Sequence, residues 1–461
     1  MSLASQLAAL NLITPLQQQL LEMGFAELTP VQQQAIPEIL KHRDVMAKAA
    51  TGSGKTLAFA IGILQRLDVE VPFPQALVLC PTRELAEQVA NSIRQLARKL
   101  SNTKVQVICG GTPIGPQIQS LKHGSHIIVA TPGRLLAHLR KRRINLNALQ
   151  QVVLDEADRM LDLGFEQDLI DIMGMLPVRR QTLLFSATFP SAIEPACQQW
   201  LQEPISIDVT DTQSAPDIEF LSFHNQQSRK ANAVAAILSE FQPSSAILFC
   251  PTKQMARDLA ADLQEMHIAC MALHGDMQQA ARSDVLACFA NGSCNLLIAT
   301  DVAARGLDIE HVDMVLNVTV PDNQETLVHR AGRTARAGAS GRCVTLVEDH
   351  EQPTWRRCCE ELAIDAKPKG IASLRFHLNR IVTPDLVTLY LDAGKKAKLR
   401  PTDILGALSK EAEVPAEDIG KIQIAANHSY VAIKLRSVKR SMKFLRENRL
   451  KGKKVRARKL R

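Results

Sequence analysis

The stretch that most limits what this chain can fold into is Ala49 to Thr56, AATGSGKT. It lies between a strand-like run, Asp44 to Lys48 (DVMAK), and an uninterrupted apolar run suited to a buried helix, Leu57 to Leu64 (LAFAIGIL). A loop of this kind turns successive backbone N–H groups and a helix N-terminus toward an anion. Ala49, Ala50, Thr51, Gly52, Ser53 and Gly54 form the cradle, Lys55 reaches the outer phosphates, and the Thr56 hydroxyl is offered to Mg²⁺. A Gly-Lys-Thr triplet alone also fits a surface turn. The flanking strand and helix favour the phosphate cradle.

Matching carboxylates come later, where the apolar run Gln151 to Asp155 (QVVLD) passes into Asp155-Glu156-Ala157-Asp158. An acid at the tip of a buried strand beside a phosphate loop can hold Mg²⁺ through water. The next acid can orient or deprotonate the water that attacks a γ-phosphate. Taken alone, the same string reads equally well as an acid-rich helix N-terminus favoured by the helix dipole.

Apolar strand runs alternate with helix-length segments along the chain. The first half gives Ala76 to Cys80, Val105 to Cys109, His126 to Ala130, Gln151 to Asp155 and Thr182 to Ser186. After a polar stretch, Asp208 to Asp217, the pattern restarts with Ala246 to Cys250, Cys270 to His274, Asn295 to Ala299, Asp313 to Asn317 and Arg342 to Val347. This predicts two α/β lobes built on parallel sheets, 1–208 and 218–365, with a small third domain over 384–461. A composition of 46% hydrophobic and 22% charged residues in 461 residues is that of a globular chain. The longest apolar runs are near eight residues, too short to span a bilayer, and no basic residue precedes Lys41 to start a signal peptide. Ten scattered Cys with no C-x-x-C pair fit reduced core thiols of a cytoplasmic protein.

An ordered set of motifs then narrows the reading: Phe25 to Gln32, AATGSGKT, PTRELA (81–86), Gly110-Gly111, TPGR (131–134), DEAD (155–158), SAT (186–188), ATDVAARGLDI (299–309) and HRAGRTAR (329–336). Together they resemble the DEAD-box RNA helicases over nearly all of residues 1–365. The resemblance implies two RecA-like lobes, with ATP and RNA held across the cleft between them. Lys55, Asp155, Glu156, Ser186, Thr188, Arg333 and Arg336 are then catalytic, the last two as arginine fingers. Arg330 belongs to the same string, and salt bridges at a helix end are the alternative for these arginines. Asp308 would contact the ribose, while Gln32 and Phe25 would recognise and pack on adenine. The family usually has Phe where this chain has Leu7, which keeps an apolar contact without aromatic stacking. RNA contacts carry over to Arg83, Gly110, Gly111, Thr131, Gly133 and Arg134 in the first lobe, and to Gln279, Arg282 and Thr300 in the second. Such contacts read backbone and 2′-OH, so the core is expected to be nearly blind to base sequence.

Specificity is therefore expected from the C-terminal residues. Residues 434–461 hold fourteen Lys or Arg against one acid, Glu447, a balance of +13; with the whole chain at +8, the preceding residues sum to −5. That excess suits an anionic partner, or else is only a solvated tail. The order β 387–391, α 402–408, β 419–424, β 429–433, α 438–447, β 454–458 resembles an RNA-recognition motif. Both tyrosines of the chain, Tyr390 and Tyr430, fall on the strands where that motif stacks bases, although two tyrosines also fit a small core. His428 and Ile433 depart from the motif's aromatic pattern. The strings LDAGKKAKLRPTDILGAL (391–408) and DIGKIQI (418–424) resemble the C-terminal domain of the bacterial DbpA-type helicases. That resemblance implies a hairpin of large-subunit (23S-type) ribosomal RNA on pre-50S particles as partner, with Lys395, Lys396, Lys398 and Arg400 meeting phosphates. Two other classes stay open: an ATP-locked RNA clamp without strand separation, and a non-enzymatic RNA-binding scaffold.

Overall fold

The computed structural model describes residues 3–49, 52–188, 199–209, 217–226, 229–304, 312–335, 340–365 and 367–460. In the first lobe the strands are β1 (Val45–Lys48), β2 (Ala76–Leu79), β3 (Val105–Ile108), β4 (Ile127–Ala130), β5 (Gln151–Asp155), β6 (Gln181–Ser186) and β7 (Ile205–Asp208). They form one parallel sheet in the order β3-β4-β2-β5-β6-β1-β7. Helices cover both faces, so the central strands β2, β4, β5 and β6 are buried at every residue. This is why they read as unbroken apolar runs and not as alternating ones. Edge strands β3 and β7 keep a half-exposed face.

The second lobe repeats the same plan with β8 (Ile218–His224), β9 (Ala246–Cys250), β10 (Met271–Leu273), β11 (Leu296–Thr300), β12 (Met314–Asn317), β13 (Gly341–Val347) and β14 (Lys369–Gly370). Its parallel order, β10-β11-β9-β12-β13-β8-β14, matches the first sheet strand for strand. The expected two parallel-sheet lobes are thus present. Sequence patterning missed β7, β8 and β14. The first and last are short sheet-edge strands, while the polar residues Glu219, Ser222 and His224 break the apolar run of β8.

The C-terminal domain is an antiparallel sheet of β15 (Leu386–Leu391), β16 (Ile419–Ile424), β17 (Ser429–Lys434) and β20 (Ala457–Lys459), ordered β16-β17-β15-β20. The short hairpin β18 (Arg449–Leu450) and β19 (Lys453–Lys454) lies just before β20, so the last sheet strand starts three residues later than expected. The pleat separates two faces. Leu389 and Leu391 point into the domain's own core with Val431 and Ile433, among the helices Pro401–Gly406 and Val438–Glu447. The opposite face carries Leu386, Thr388 and Tyr390, with Tyr390 directly paired to Tyr430.

Asp418 locks the entry to β16. It is 1% exposed and accepts from Arg436 Nε at 2.8 Å and Ser437 Oγ at 2.6 Å. These hydrogen bonds, Arg436 first, hold its carboxyl at about 2. Because the folded value lies below the ordinary one near 3.8, the unfolded chain takes up the proton first as pH falls. The stabilisation is complete above about pH 4 and lost as pH drops through 2. Asp418→Asn should accordingly lower thermal stability at neutral pH and fall less steeply between pH 4 and 2 than the native chain. Parallel curves of melting temperature against pH would contradict the assignment.

Candidate active site and nucleic-acid interface

Sheet order explains why the first lobe's motifs meet. Strand β6 lies between β1 and β5, so the loops leaving the carboxyl ends of these three neighbours share one edge. The phosphate loop leaves β1, the acidic string leaves β5, and Ser186 and Thr188 leave β6. Ala49 N donates to Ser186 O at 2.9 Å, and Lys55 Nζ donates to Ala49 O at 2.9 Å, folding Lys55 over the cradle. Gly52 and Gly54 have φ of +87° and +92°, a backbone that glycine adopts without strain. A Cβ on Gly54 would also fall 2.3 Å from Gln32 Nε2. Ala50 and Thr51 lie outside the described residues.

At the tip of β5, Asp155 and Glu156 are both buried, and Glu156 sits at φ +54°, a left-handed turn uncommon for a residue with a side chain. Burial pushes the Asp155 carboxyl up to about 7, with Glu156 and Asp158 adding to the rise and Lys55 opposing it. Glu156 faces the buried Arg159 guanidinium at 3.1 Å. Asp158 accepts at one oxygen from both Thr188 N and Thr188 Oγ1 at 3.1 Å, while its own N–H donates to Ser186 Oγ at 3.2 Å. Ser186 and Thr188 therefore meet Asp158, a member of the acidic string to which the sequence assigned no separate role. Arg159 was missed, since an arginine one residue past an acidic string carries no distinguishing signal. Asp155 Oδ1 and Ser53 Oγ are buried without a hydrogen-bond partner among the described residues. Orphaned oxygens beside a glycine cradle and a buried ammonium fit a phosphate–metal pair.

Gln32 is buried and spends both ends of its amide: Oε1 accepts from Thr29 N at 2.9 Å and Nε2 donates to Gly54 O at 3.0 Å. It thus ties the amino-terminal segment to the cradle. Phe25 is exposed. Leu7, at the family's usual Phe position, is 0% exposed in the lobe's hydrophobic core, because the helix Leu3–Ala8 buries that face.

The residues read as RNA contacts leave the other half of the same sheet edge. Arg83 begins the helix after β2, Gly110 and Gly111 follow β3, and Thr131, Gly133 and Arg134 follow β4. A Cβ on Gly111, at φ +68°, would lie 1.6 Å from Arg83 Nη1, and Arg134 Nη1 donates to Thr112 O at 3.0 Å. Two cations therefore rest on one glycine turn.

The second lobe repeats this division. Thr300 ends β11, and Gln279 and Arg282 open the helix Gln279–Ala290 that follows neighbouring β10. Arg330 is consumed structurally: its guanidinium pairs with both Asp301 oxygens at 2.6 and 2.7 Å, donates to Asn317 and lies over Phe249. The salt-bridge alternative thus applies to Arg330. Arg333 is also buried. Asp308 and Arg336 lie outside the described residues.

The tyrosine face of the C-terminal domain is covered. Tyr430 is 5% exposed, and its hydroxyl donates to Asp284 of the Gln279–Ala290 helix at 2.9 Å; Arg458 pairs with the same carboxylate at 2.6 Å. Thr388, on that face, exchanges hydrogen bonds with Asn291 at 2.8 and 3.1 Å. Tyr390 is half-buried, stacked on His428 and capped by Arg458. Base stacking needs an open ring, so the stacking role expected of Tyr430 gives way here to interdomain docking. Lys395, Lys396, Lys398 and Arg400 are exposed. Their turn is fixed by Lys395 N and Lys396 N donating to Ala425 O and Ala426 O at 2.9 Å, and by Lys451 Nζ donating to Lys398 O at 3.0 Å.

Three family models match: DEAD/DEAH box helicase over residues 29–196, helicase conserved C-terminal domain over 229–338, and DbpA RNA binding domain over 388–459. The chain is 44% identical to the ATP-dependent RNA helicase DbpA of Escherichia coli (strain K12), covering 98% of both, and 36% identical to that of Bacillus subtilis (strain 168), covering 95% of both. Among solved structures it resembles Saccharomyces cerevisiae Dbp5 bound to RNA and ADP BeF3, with a TM-score of 0.71 at 28% identity over 79% of this chain and 94% of that one. Mss116p bound to ssRNA and AMP-PNP also gives 0.71, at 27% identity over 90% of this chain and 83% of that one. The chain belongs to the DEAD-box ATP-dependent RNA helicases and, by its C-terminal domain, to their DbpA type.

The Gly54 geometry makes a sharp demand. In Gly54→Ala the left-handed backbone costs about 1–3 kcal/mol, and Gln32 must also move. Nucleotide affinity should fall ~10-fold or more, since each 1.4 kcal/mol is about a factor of ten. Titration with a fluorescent ADP analogue measures it; unchanged affinity would contradict the close approach.

Proposed function

We propose that this helicase remodels large-subunit ribosomal RNA in the cytoplasm during assembly of 50S particles, recruited to a hairpin of that RNA by its C-terminal domain. The observation that carries the reading is the DbpA RNA binding domain over 388–459 combined with a fixed, exposed lysine turn at its surface. Base contacts then come from the Lys395, Lys396 and Lys398 side of the domain, because the tyrosine face is occupied. Solved relatives of the same fold carry RNA together with a nucleotide analogue, which supports both ligands on the helicase core.

In the reaction, Lys55 swings from Ala49 O to the outer phosphates, and the cradle N–H groups bind the oxygens between them. Thr56 and Asp155 would hold Mg²⁺, which neutralises charge on the phosphates when bound. Glu156, at its left-handed turn, orients the attacking water and accepts its proton. Arg159 holds that carboxylate in place. Asp158 links the acidic string to Ser186 and Thr188. Arg333 and Arg336 supply positive charge to the developing phosphate oxygens. Arg83, Arg134, Arg282 and Gln279 hold sugar-phosphate, so strand separation by the core is indifferent to sequence.

Two experiments check these roles. Glu156→Gln should lower turnover by about 10²–10⁴, the span of general-base catalysis, while keeping ATP-dependent RNA binding. Lys55→Ala should lose both, and equal loss of nucleotide affinity in the two variants would contradict their separate roles. In ATPase titrations at fixed salt, the full chain should respond best to a ribosomal hairpin fragment, and a chain ending at residue 383 should respond equally to any RNA. Lys396→Ala should weaken the preference. A truncated chain with undiminished preference would put specificity in the core. Absence of turnover with every RNA would instead support a scaffold, and turnover without strand separation a clamp.

A further inference from the structure

Arg83 and Arg134 come from different helices yet rest on the same turn, Gly110 to Thr112. One side chain holds that arrangement together. Gln117, 9% exposed on the helix Ile114–Lys122, donates from Nε2 to Cys109 O at 2.9 Å and to Thr112 Oγ1 at 2.8 Å, gripping both ends of the turn. Its Oε1 faces Arg134 Nη1 at 3.3 Å and His138 Nε2 at 3.1 Å. Arginine can only donate, which fixes the amide orientation and requires His138 Nε2 to carry its hydrogen. Both donors and both lone pairs of the amide are thereby used. Its own backbone is anchored in turn, Gln117 O accepting from the buried Gln106 Nε2 at 3.1 Å.

His138 completes the unit. It is 0% exposed, one helical turn beyond Arg134 on Pro132–Arg140, and its Nδ1 has no partner among the described residues. Burial, with Arg143 and Arg134 nearby, keeps the ring neutral. A buried polar amide and a buried neutral imidazole cost desolvation that an apolar pair would avoid. Here they hold one turn and one cation in register.

We propose that Gln117, supported by His138, is the positioning residue that sets the Gly110–Thr112 turn and Arg134 at the spacing required by an RNA sugar-phosphate backbone. Its amide is spent on Cys109, Thr112, Arg134 and His138. The inference rests on reading this face as the RNA-contacting face of the first lobe.

The test uses the full chain and RNA-stimulated ATPase titrations with an unstructured RNA. Gln117→Met keeps the volume and removes all four hydrogen bonds. It should raise the RNA concentration for half-maximal stimulation about tenfold, the size of losing one or two net hydrogen bonds, with maximal turnover changed by less than about twofold. The affinity of the RNA-free protein for a fluorescent ADP analogue should stay at the native value, and hydrogen exchange at residues 109–113 should quicken. His138→Phe, which removes a single hydrogen bond to Oε1, should give about a threefold shift in half-saturating RNA. If Gln117→Met also loses nucleotide affinity through a wider folding defect, His138→Phe decides, and no shift there overturns the proposal. Half-saturating RNA within twofold of native in a Gln117→Met protein that binds nucleotide normally overturns it outright. A native chain whose ATPase ignores RNA would instead overturn the reading of this face.

Discussion

Three carboxylates stand at the end of one fully buried strand, and the first lobe is organised around the cost of keeping them there. Burial penalises the charged form of Asp155, and Glu156 and Asp158 add repulsion to it. The offsets differ in kind. Glu156 meets a buried guanidinium, Asp158 is saturated by hydrogen bonds from Thr188 and from the backbone N–H of Arg159, and Asp155 is left with one oxygen unpartnered among the described residues. Burial raises its carboxyl to about 7, a rise that Lys55 opposes without cancelling. Only the strand order β5-β6-β1 brings the acids, the hydroxyls and the cradle to one edge.

The same sheet order separates two tasks. Reading from β1 to β3 across the sheet, the phosphate loop and acids occupy one half of the carboxyl edge, and the glycine turn with Arg83 and Arg134 the other. Strand β2 is the boundary: Cys80 at its end feels the charges of Asp155 and Glu156, and Arg83 starts the next helix. A parallel sheet places every strand's functional loop on one side, so neighbouring strands convert sequence separations of a hundred residues into adjacent side chains. The second lobe repeats the order without a second Gly-Lys-Ser/Thr string, and Gln279, Arg282 and Thr300 leave β10 and β11, the strands that correspond to β3 and β4.

Most of this was legible in the residues because buried parallel strands are continuous apolar runs and phosphate loops have a fixed spacing. What stayed illegible has two physical origins. Strand β8 and the short edge strands β7 and β14 carry mixed polarity or too few residues to show a period. Side chains that act through others leave no motif: Arg159, Gln117 and His138 are defined by what they reach across the fold, not by their neighbours in sequence. At Leu7 the family comparison gave an apolar contact, and helix periodicity with Leu3 places that contact in the core.

The C-terminal domain shows why alternation along a strand does not settle what a face is for. Tyr390 and Tyr430 do lie on the side away from the domain's own core, as a stacking platform would require. Yet Tyr430 ends on Asp284, in company with Arg458, and the neighbouring Thr388 ends on Asn291. Removing the tyrosine hydroxyl would leave Asp284 with one fewer donor in a partly buried setting, so the residue's polarity as well as its ring is used in docking. Asp284 sits within two turns of Gln279 and Arg282 on a single helix. A helix is stiff over that distance, so the anchored domain and the two residues proposed to hold RNA share one rigid element. The position of the exposed lysine turn relative to the second lobe is thereby set by Tyr430, Arg458 and Thr388.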